Sequence, residues 1–193
     1  MTEVHKVGRY AGGNVAMSGA NPLYATWLAA NHATNGATIP DLASICHESS
    51  SARRALAGSG ASHGTCFAVV EHFDASRSVL MYKFGDSALK LDLLGNYTTT
   101  TKKVVTTLRG HAEISALVQA INSVALPDGD YGNFVTRIYI ELSPCPLCGP
   151  QLSPYVENSV VMYSYVYGND REMDGWVSDN QAAIHERGGK FKW

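Results

Sequence analysis

The sequence predicts an α/β fold in three layers, a mixed five-stranded sheet with helices on both faces. Two observations carry this. From residue 65 onward, apolar residues alternate between period-two runs and one clear period-3.6 run, and the elements so marked follow the order β-β-α-β-α-β-α-β. Helices, not tight turns, separate the later strands, so the last two are predicted to be parallel with right-handed crossovers. The composition is that of a globular chain able to bury a core: 193 residues, 45% hydrophobic and 17% charged.

Residues 1–60 are rich in Ala, Gly, Ser and Asn and hold two helical candidates, 22–35 and 40–56. Leu42, Ile45, Ala52 and Leu56 make only a weak stripe on the second, so this N-terminal helical extension is predicted to lean on the rest of the chain. Residues 65–73 and 78–84 are apolar runs at hairpin distance, separated by the turn-like Asp74-Ala75-Ser76. Residues 86–109, with Gly95-Asn96 and Thr98-Thr99-Thr100-Thr101, form a long connection that reads as a surface excursion or a substrate lid. In 111–125, Ile114, Leu117, Val118, Ile121 and Ala125 follow helical spacing. In 134–142, Phe134, Thr136, Ile138, Ile140 and Leu142 alternate with Val135, Arg137, Tyr139 and Glu141, a strand that runs directly into Ser143-Pro144-Cys145. A short helix follows, which Pro150 and Pro154 should shorten or kink by removing backbone donors. Then come a strand over 159–167, the turn Gly168-Asn169-Asp170, a helix over 176–186 and a last strand over 190–193.

A net charge of −2 argues against a strongly basic nucleic-acid clamp, because phosphate binding draws its strength from clustered cations, and leaves room only for local patches. Arg53-Arg54, Lys102-Lys103 with Arg109, and Lys190 with Lys192 read most simply as solvated surface charge. Four cysteines are too few for a disulfide scaffold, so the thiols are predicted to be reduced. Cys66, in the run Cys66-Phe67-Ala68-Val69-Val70, reads as a small buried hydrophobe, and Cys46 has no evident partner. Residues 1–9 lack the apolar stretch of a secretion signal, and no run of ~18 apolar residues is long enough to span a membrane. The expectation is a cytoplasmic protein, or one delivered by another agent.

Two motifs carry the chemistry. His111-Ala112-Glu113 opens a helix, and Pro144-Cys145-Pro146-Leu147-Cys148 ends a strand. Together they spell the H-x-E…P-C-x-x-C pattern of zinc-dependent nucleobase deamination. One His and two Cys are three ligands, which leaves zinc's fourth position open for water as in a catalytic site. Cys145 and Cys148, three apart at a helix start with Pro146 at its first position, should place both sulfurs on one side and have their pKa lowered by the helix end. Glu113, free of the metal, would move protons between that water, the ring nitrogen and the departing ammonia. A structural site would need a fourth ligand such as His63, His72 or Cys46 and would leave Glu113 unexplained; a thioredoxin-like redox pair would not need His111.

These motifs and the element order over residues 65–193 resemble the cytidine deaminase-like superfamily. The resemblance implies a zinc-dependent deaminase domain over 61–193, with Zn2+ on His111, Cys145 and Cys148 and Glu113 as proton shuttle. A helix between the fourth and fifth strands is typical of the branch that acts on nucleic acids, and the size and Gly-rich flanks are similar to deaminase domains of bacterial polymorphic toxins. The implied substrate is cytosine in single-stranded or locally opened DNA. The implied partners are that DNA and an immunity protein, with delivery into a target-cell cytoplasm. Alternatives are deamination of free cytidine, a nucleotide or adenine, and a non-enzymatic zinc-stabilised binding module. The Ala112 N–H and the Ser143 carbonyl, beside the metal ligands, are the expected readers of the base. Trp176, Tyr131, Tyr165 and Tyr167 are available to stack on it, although aromatic residues in such segments more often belong to the core.

Overall fold

A computed structural model describes residues 2–15, 21–35, 39–55, 64–87, 111–124, 133–152 and 155–186. Its elements are β1 (Glu3–Lys6), α1 (Pro22–Asn35), α2 (Leu42–Ala55), β2 (Phe67–Phe73), β3 (Leu80–Asp86), α3 (Ala112–Val124), β4 (Val135–Leu142), α4 (Cys148–Leu152), β5 (Val160–Tyr165) and α5 (Asp170–Glu186). They build one mixed five-stranded sheet in the order β1-β5-β4-β2-β3. β2 pairs antiparallel with β3 and with β4, and β5 pairs parallel with β4 and with β1. The α/β class and the mixed five-stranded sheet are those expected from the sequence, whereas the second strand of the parallel pair expected between 159–167 and 190–193 is not among the described residues, and β5 is parallel to β4 and β1.

The strand on the far side of β5 differs from expectation. It is Glu3–Lys6, whose register runs from Glu3 opposite Val160 to Lys6 opposite Tyr163. The C-terminal strand expected over 190–193 lies outside the described residues, as do all but the first two residues of the long connection expected over 86–109 and the lysines at 102, 103, 190 and 192. β1 forms because its backbone completes the ladder of β5: Glu3 N–H donates to Ser159 O at 3.0 Å and Val7 N–H to Tyr163 O at 2.9 Å. A four-residue strand fixed by such pairing has no periodicity of its own to read.

Helices cover both faces. On one, α3 and α4 pack on Ala68, Val70, Ile138, Ile140 and Val161. On the other, Tyr24 of α1 and Leu42, Ala43 and Cys46 of α2 share a core with Phe67, Val69, Phe73, Tyr139, Val160 and Met162. Where the sequence predicts a helical extension over residues 1–60, β1 is an edge strand and α1 and α2 form part of this second layer. Side-chain caps start three helices: Asn21 Oδ1 accepts the Leu23 and Tyr24 N–H groups, Asp41 Oδ1 those of Ala43 and Ser44, and Asn169 Oδ1 that of Glu172. The last cap moves the start of α5 from the expected 176 to Asp170, so Gly168-Asn169 is a helix entry, not a free turn. No helix among the described residues is long and apolar enough to cross a membrane.

Candidate metal centre and cleft

The C-terminal end of β4 meets the N-terminal end of α3, as a ligand site at the strand ends of an α/β sheet requires. His111 precedes α3, its carbonyl accepting the first intrahelical bond from Ser115 N–H at 3.0 Å. β4 delivers Ser143 and Cys145 directly, and Cys148 N–H turns back onto Cys145 O at 2.9 Å. These two local geometries bring His111, Cys145 and Cys148 together, with all ligand atoms within 4.8 Å of one another.

His111 Nδ1 lies 2.9 Å from Cys148 Sγ and 3.7 Å from Cys145 Sγ, and the two sulfurs are 2.9 Å apart without a disulfide. Tetrahedral zinc, with Zn–S near 2.3 Å and Zn–N near 2.0 Å, separates such donors by roughly 3.5–3.8 Å. The cluster can hold a metal ion, and opening by less than about 1 Å makes it compatible with zinc. Among the described residues no fourth His, Cys, Asp or Glu joins it. Cys46 is buried in the core on the other face. His72 sits at the opposite end of β2, donating from Nδ1 to Phe73 O at 2.7 Å. His63 lies outside the described residues.

Burial, then the charge of Glu113, then the Cys145 neighbour push the Cys148 thiol upward, against the lowering expected from the helix end. α4 has only five residues and begins at Cys148; Pro146 lies in the turn before it, and Pro150 falls in its first turn, where a missing N–H is tolerated. The short helix expected from the prolines is present, but its macrodipole is correspondingly small. A divalent cation inverts this balance, because a coordinating thiol is deprotonated by the ion itself.

The cluster opens onto a cleft of about 260 Å³. Glu113 lines it and is 4% exposed, its carboxylate against Cys148 but not among the clustered donors. Ala112 and Ser143 line it as well. Ser143 is fixed by its N–H, which donates to Tyr165 O at 2.7 Å, and by its Oγ, which accepts from Tyr167 N–H at 3.0 Å. Trp176 is on the wall but 3% exposed, so it offers the cleft little surface on which a base could stack. Tyr167, 51% exposed, stands at the rim, whereas Tyr165 is buried with its hydroxyl donating to Asp179. Cys66, half-buried, also lines the cleft, its thiol pushed up by burial. Tyr131 lies outside the described residues.

Two contributors had little signal in the sequence. Arg54, read as surface charge, is fully buried in a pair with Glu141 behind the cleft. Gly85 of β3 allows α3 to approach: a Cβ there would overlap the backbone of Ala112 and Ala116. Gln119 holds the same contact by donating from Nε2 to Phe84 O at 2.7 Å. Gly85→Ala is therefore expected to push back the helix start that carries His111 and Glu113. Stability should fall by about 1–3 kcal/mol with weaker metal binding, measured by thermal denaturation and zinc titration; unchanged values in both would show that α3 yields freely at this point.

Compared with known protein families, with curated proteins and with solved structures, the chain matches none.

Proposed function

We propose that the chain is a zinc-dependent hydrolytic deaminase that converts cytosine to uracil in single-stranded or locally opened DNA. The observation that carries this reading is Glu113, a buried carboxylate on the cleft wall, beside the His111, Cys145 and Cys148 donors but outside their set. A structural site has no use for such a group, whereas hydrolysis needs one. His111, Cys145 and Cys148 would hold the zinc. When bound, it supplies a Lewis acid that brings a water's pKa toward neutrality.

The chain's own groups then have defined work. Glu113 accepts one proton from the attacking water and passes it to the ring nitrogen, then accepts the second from the hydroxyl so formed and passes it to the departing amine. The new bond joins the water oxygen to the amino-bearing carbon, the carbon–nitrogen bond breaks, and ammonia leaves. The Ala112 N–H, in the first helical turn where no intrahelical acceptor exists, and the Ser143 carbonyl hold the base edge. Trp176 and Leu142 keep water from the inner wall. The open rim and exposed Tyr167 support a base presented from a longer strand, because an aromatic face suits an unstacked nucleotide.

Zinc-loaded protein incubated with single-stranded oligonucleotides should generate uracil, detected by uracil excision and strand cleavage. Turnover of free cytidine alone would remove the polynucleotide part of the proposal. Conversion of adenine would change the base, and zinc binding with no turnover of any base would leave a binding module.

A further inference from the structure

Behind the inner wall of the cleft lies a buried charge pair that the proposed reaction does not use. Arg54 of α2 and Glu141 of β4 have fully buried side chains. Arg54 Nη1 donates to Glu141 Oε1 at 2.9 Å, and Nη2 donates to Oε2 at 2.5 Å and to Thr65 O at 2.6 Å. Its guanidinium lies over the Phe67 ring, 4.5 Å from the centroid. The same Glu141 Oε2 accepts the Phe67 N–H at 3.0 Å and the Trp176 Nε1–H at 3.2 Å.

So deep an ion pair is a poor source of net stability, because desolvation offsets most of the attraction. What its geometry does provide is convergence. One carboxylate oxygen joins α2, the entry of β2, the exit of β4 and α5. The indole has a single N–H, and tying it to Glu141 fixes the rotation of the ring about its side-chain bonds. Trp176, so held, is part of the wall of the cleft that His111, Ala112 and Glu113 also line.

We propose that Glu141, itself fixed by Arg54, is a positioning residue that sets how tightly the cleft receives its base. It holds Trp176 as part of the wall against which the planar ring packs, and it takes no part in the proton transfers. The substrate named here rests on the deaminase reading; the positioning role concerns binding and can stand apart from it.

Two charge-free variants isolate the role. Arg54→Met/Glu141→Gln retains a carbonyl oxygen that can accept the indole N–H, whereas Arg54→Met/Glu141→Leu retains none. Both lose the ion pair, and the Leu variant also strands the Phe67 N–H, a structural loss that thermal denaturation reads separately from KM. For a single-stranded oligonucleotide, the Gln variant should keep KM within about twofold of the parent and the Leu variant should raise it about tenfold, with kcat and zinc content little changed. Equal KM in the two variants overturns the proposal. Trp176→Phe leaves the ion pair intact and removes the N–H donor, so it should show the same KM-selective loss even where the Leu variant fails to fold; an unchanged KM there also overturns it. Kd for the same oligonucleotide, by fluorescence anisotropy, separates the two readings. A parent that binds without turnover, with Kd weakened in the Leu variant and kept in the Gln variant, overturns the deaminase reading and supports positioning. Turnover without that ordering overturns positioning alone, and a parent that neither binds nor turns over overturns both.

Discussion

Glu113→Ala is expected to lower kcat by about 10²–10⁴-fold, the usual contribution of a positioned general acid–base, while leaving zinc content and fold intact. The side chain starts α3, is nearly fully buried, and faces a cleft rather than the sheet core. Removing it takes a carboxylate away from the Cys148 thiol and costs at most the modest interaction of an acidic group with a helix start, about 0.3–1 kcal/mol. Cys148→Ala provides the contrast: it should lose metal and activity together, because two donors remain from a set of three. Single-turnover deamination and elemental analysis on both variants check the pair. Retained turnover in Glu113→Ala would refute the assigned role, and loss of zinc in that variant would make Glu113 a ligand.

The half of the molecule that carries the metal-ligand cluster and the cleft was largely legible in the sequence. β4 reads as a strand running into a C-x-x-C, and α3 as an amphipathic helix opened by H-x-E, because each has its own period and its motif at a fixed end. That reading needed no tertiary information. β1 was not legible, since Glu3–Lys6 is a strand only by virtue of the β5 ladder. The start of α5 was legible but misassigned: Asn169 and Glu172 stand at the cap and third helical positions, a helix-entry spacing, but Gly168-Asn169-Asp170 equally spells a turn. There the Glu172 carboxylate reaches Val166 N–H at 2.7 Å and Lys6 at 2.7 Å, tying α5 to β5 and β1.

Arg54, Glu71, Arg137 and Glu141 show a different limit. Charge in a sequence says surface by default, and only a partner on a distant element reverses that. Arg54 finds Glu141 eighty-seven residues away, and Arg137 finds Glu71 sixty-six away. The alternation along β4 correctly put Arg137, Tyr139 and Glu141 on one face, but a bulge opposite Glu71 and His72 shifts the register, so Val135 joins the core of Ile138 and Ile140 and Phe134 joins that of Tyr139. The sequence could not say that α1 and α2 would cover the Tyr139 face.

The second of these pairs carries the largest expected effect on stability. Glu71 and Arg137 have fully buried side chains. Arg137 Nε donates to Glu71 Oε1 at 2.7 Å, Nη2 donates to Oε2, and Nη1 reaches Gly13 O at 3.3 Å. The Thr136 hydroxyl adds a further bond to Glu71 Oε1 at 2.7 Å. Glu71→Ala would leave the guanidinium in the core with the Gly13 carbonyl as its remaining acceptor among these, at an expected cost of about 3–5 kcal/mol. A domain whose whole stability is ~5–15 kcal/mol would lose much of its folded population. Glu71→Leu/Arg137→Met removes both charges together, so no ion is stranded, and it should be clearly more stable than the single variant. Urea midpoints for the parent, the single and the double variant test this, and a double variant no more stable than Glu71→Ala would show that the pair, not the stranded charge, holds the fold. Since Arg137 lies on the face away from α3 and near the start of β4, whereas the cleft opens at the strand's other end, the double variant should bind zinc as the parent does.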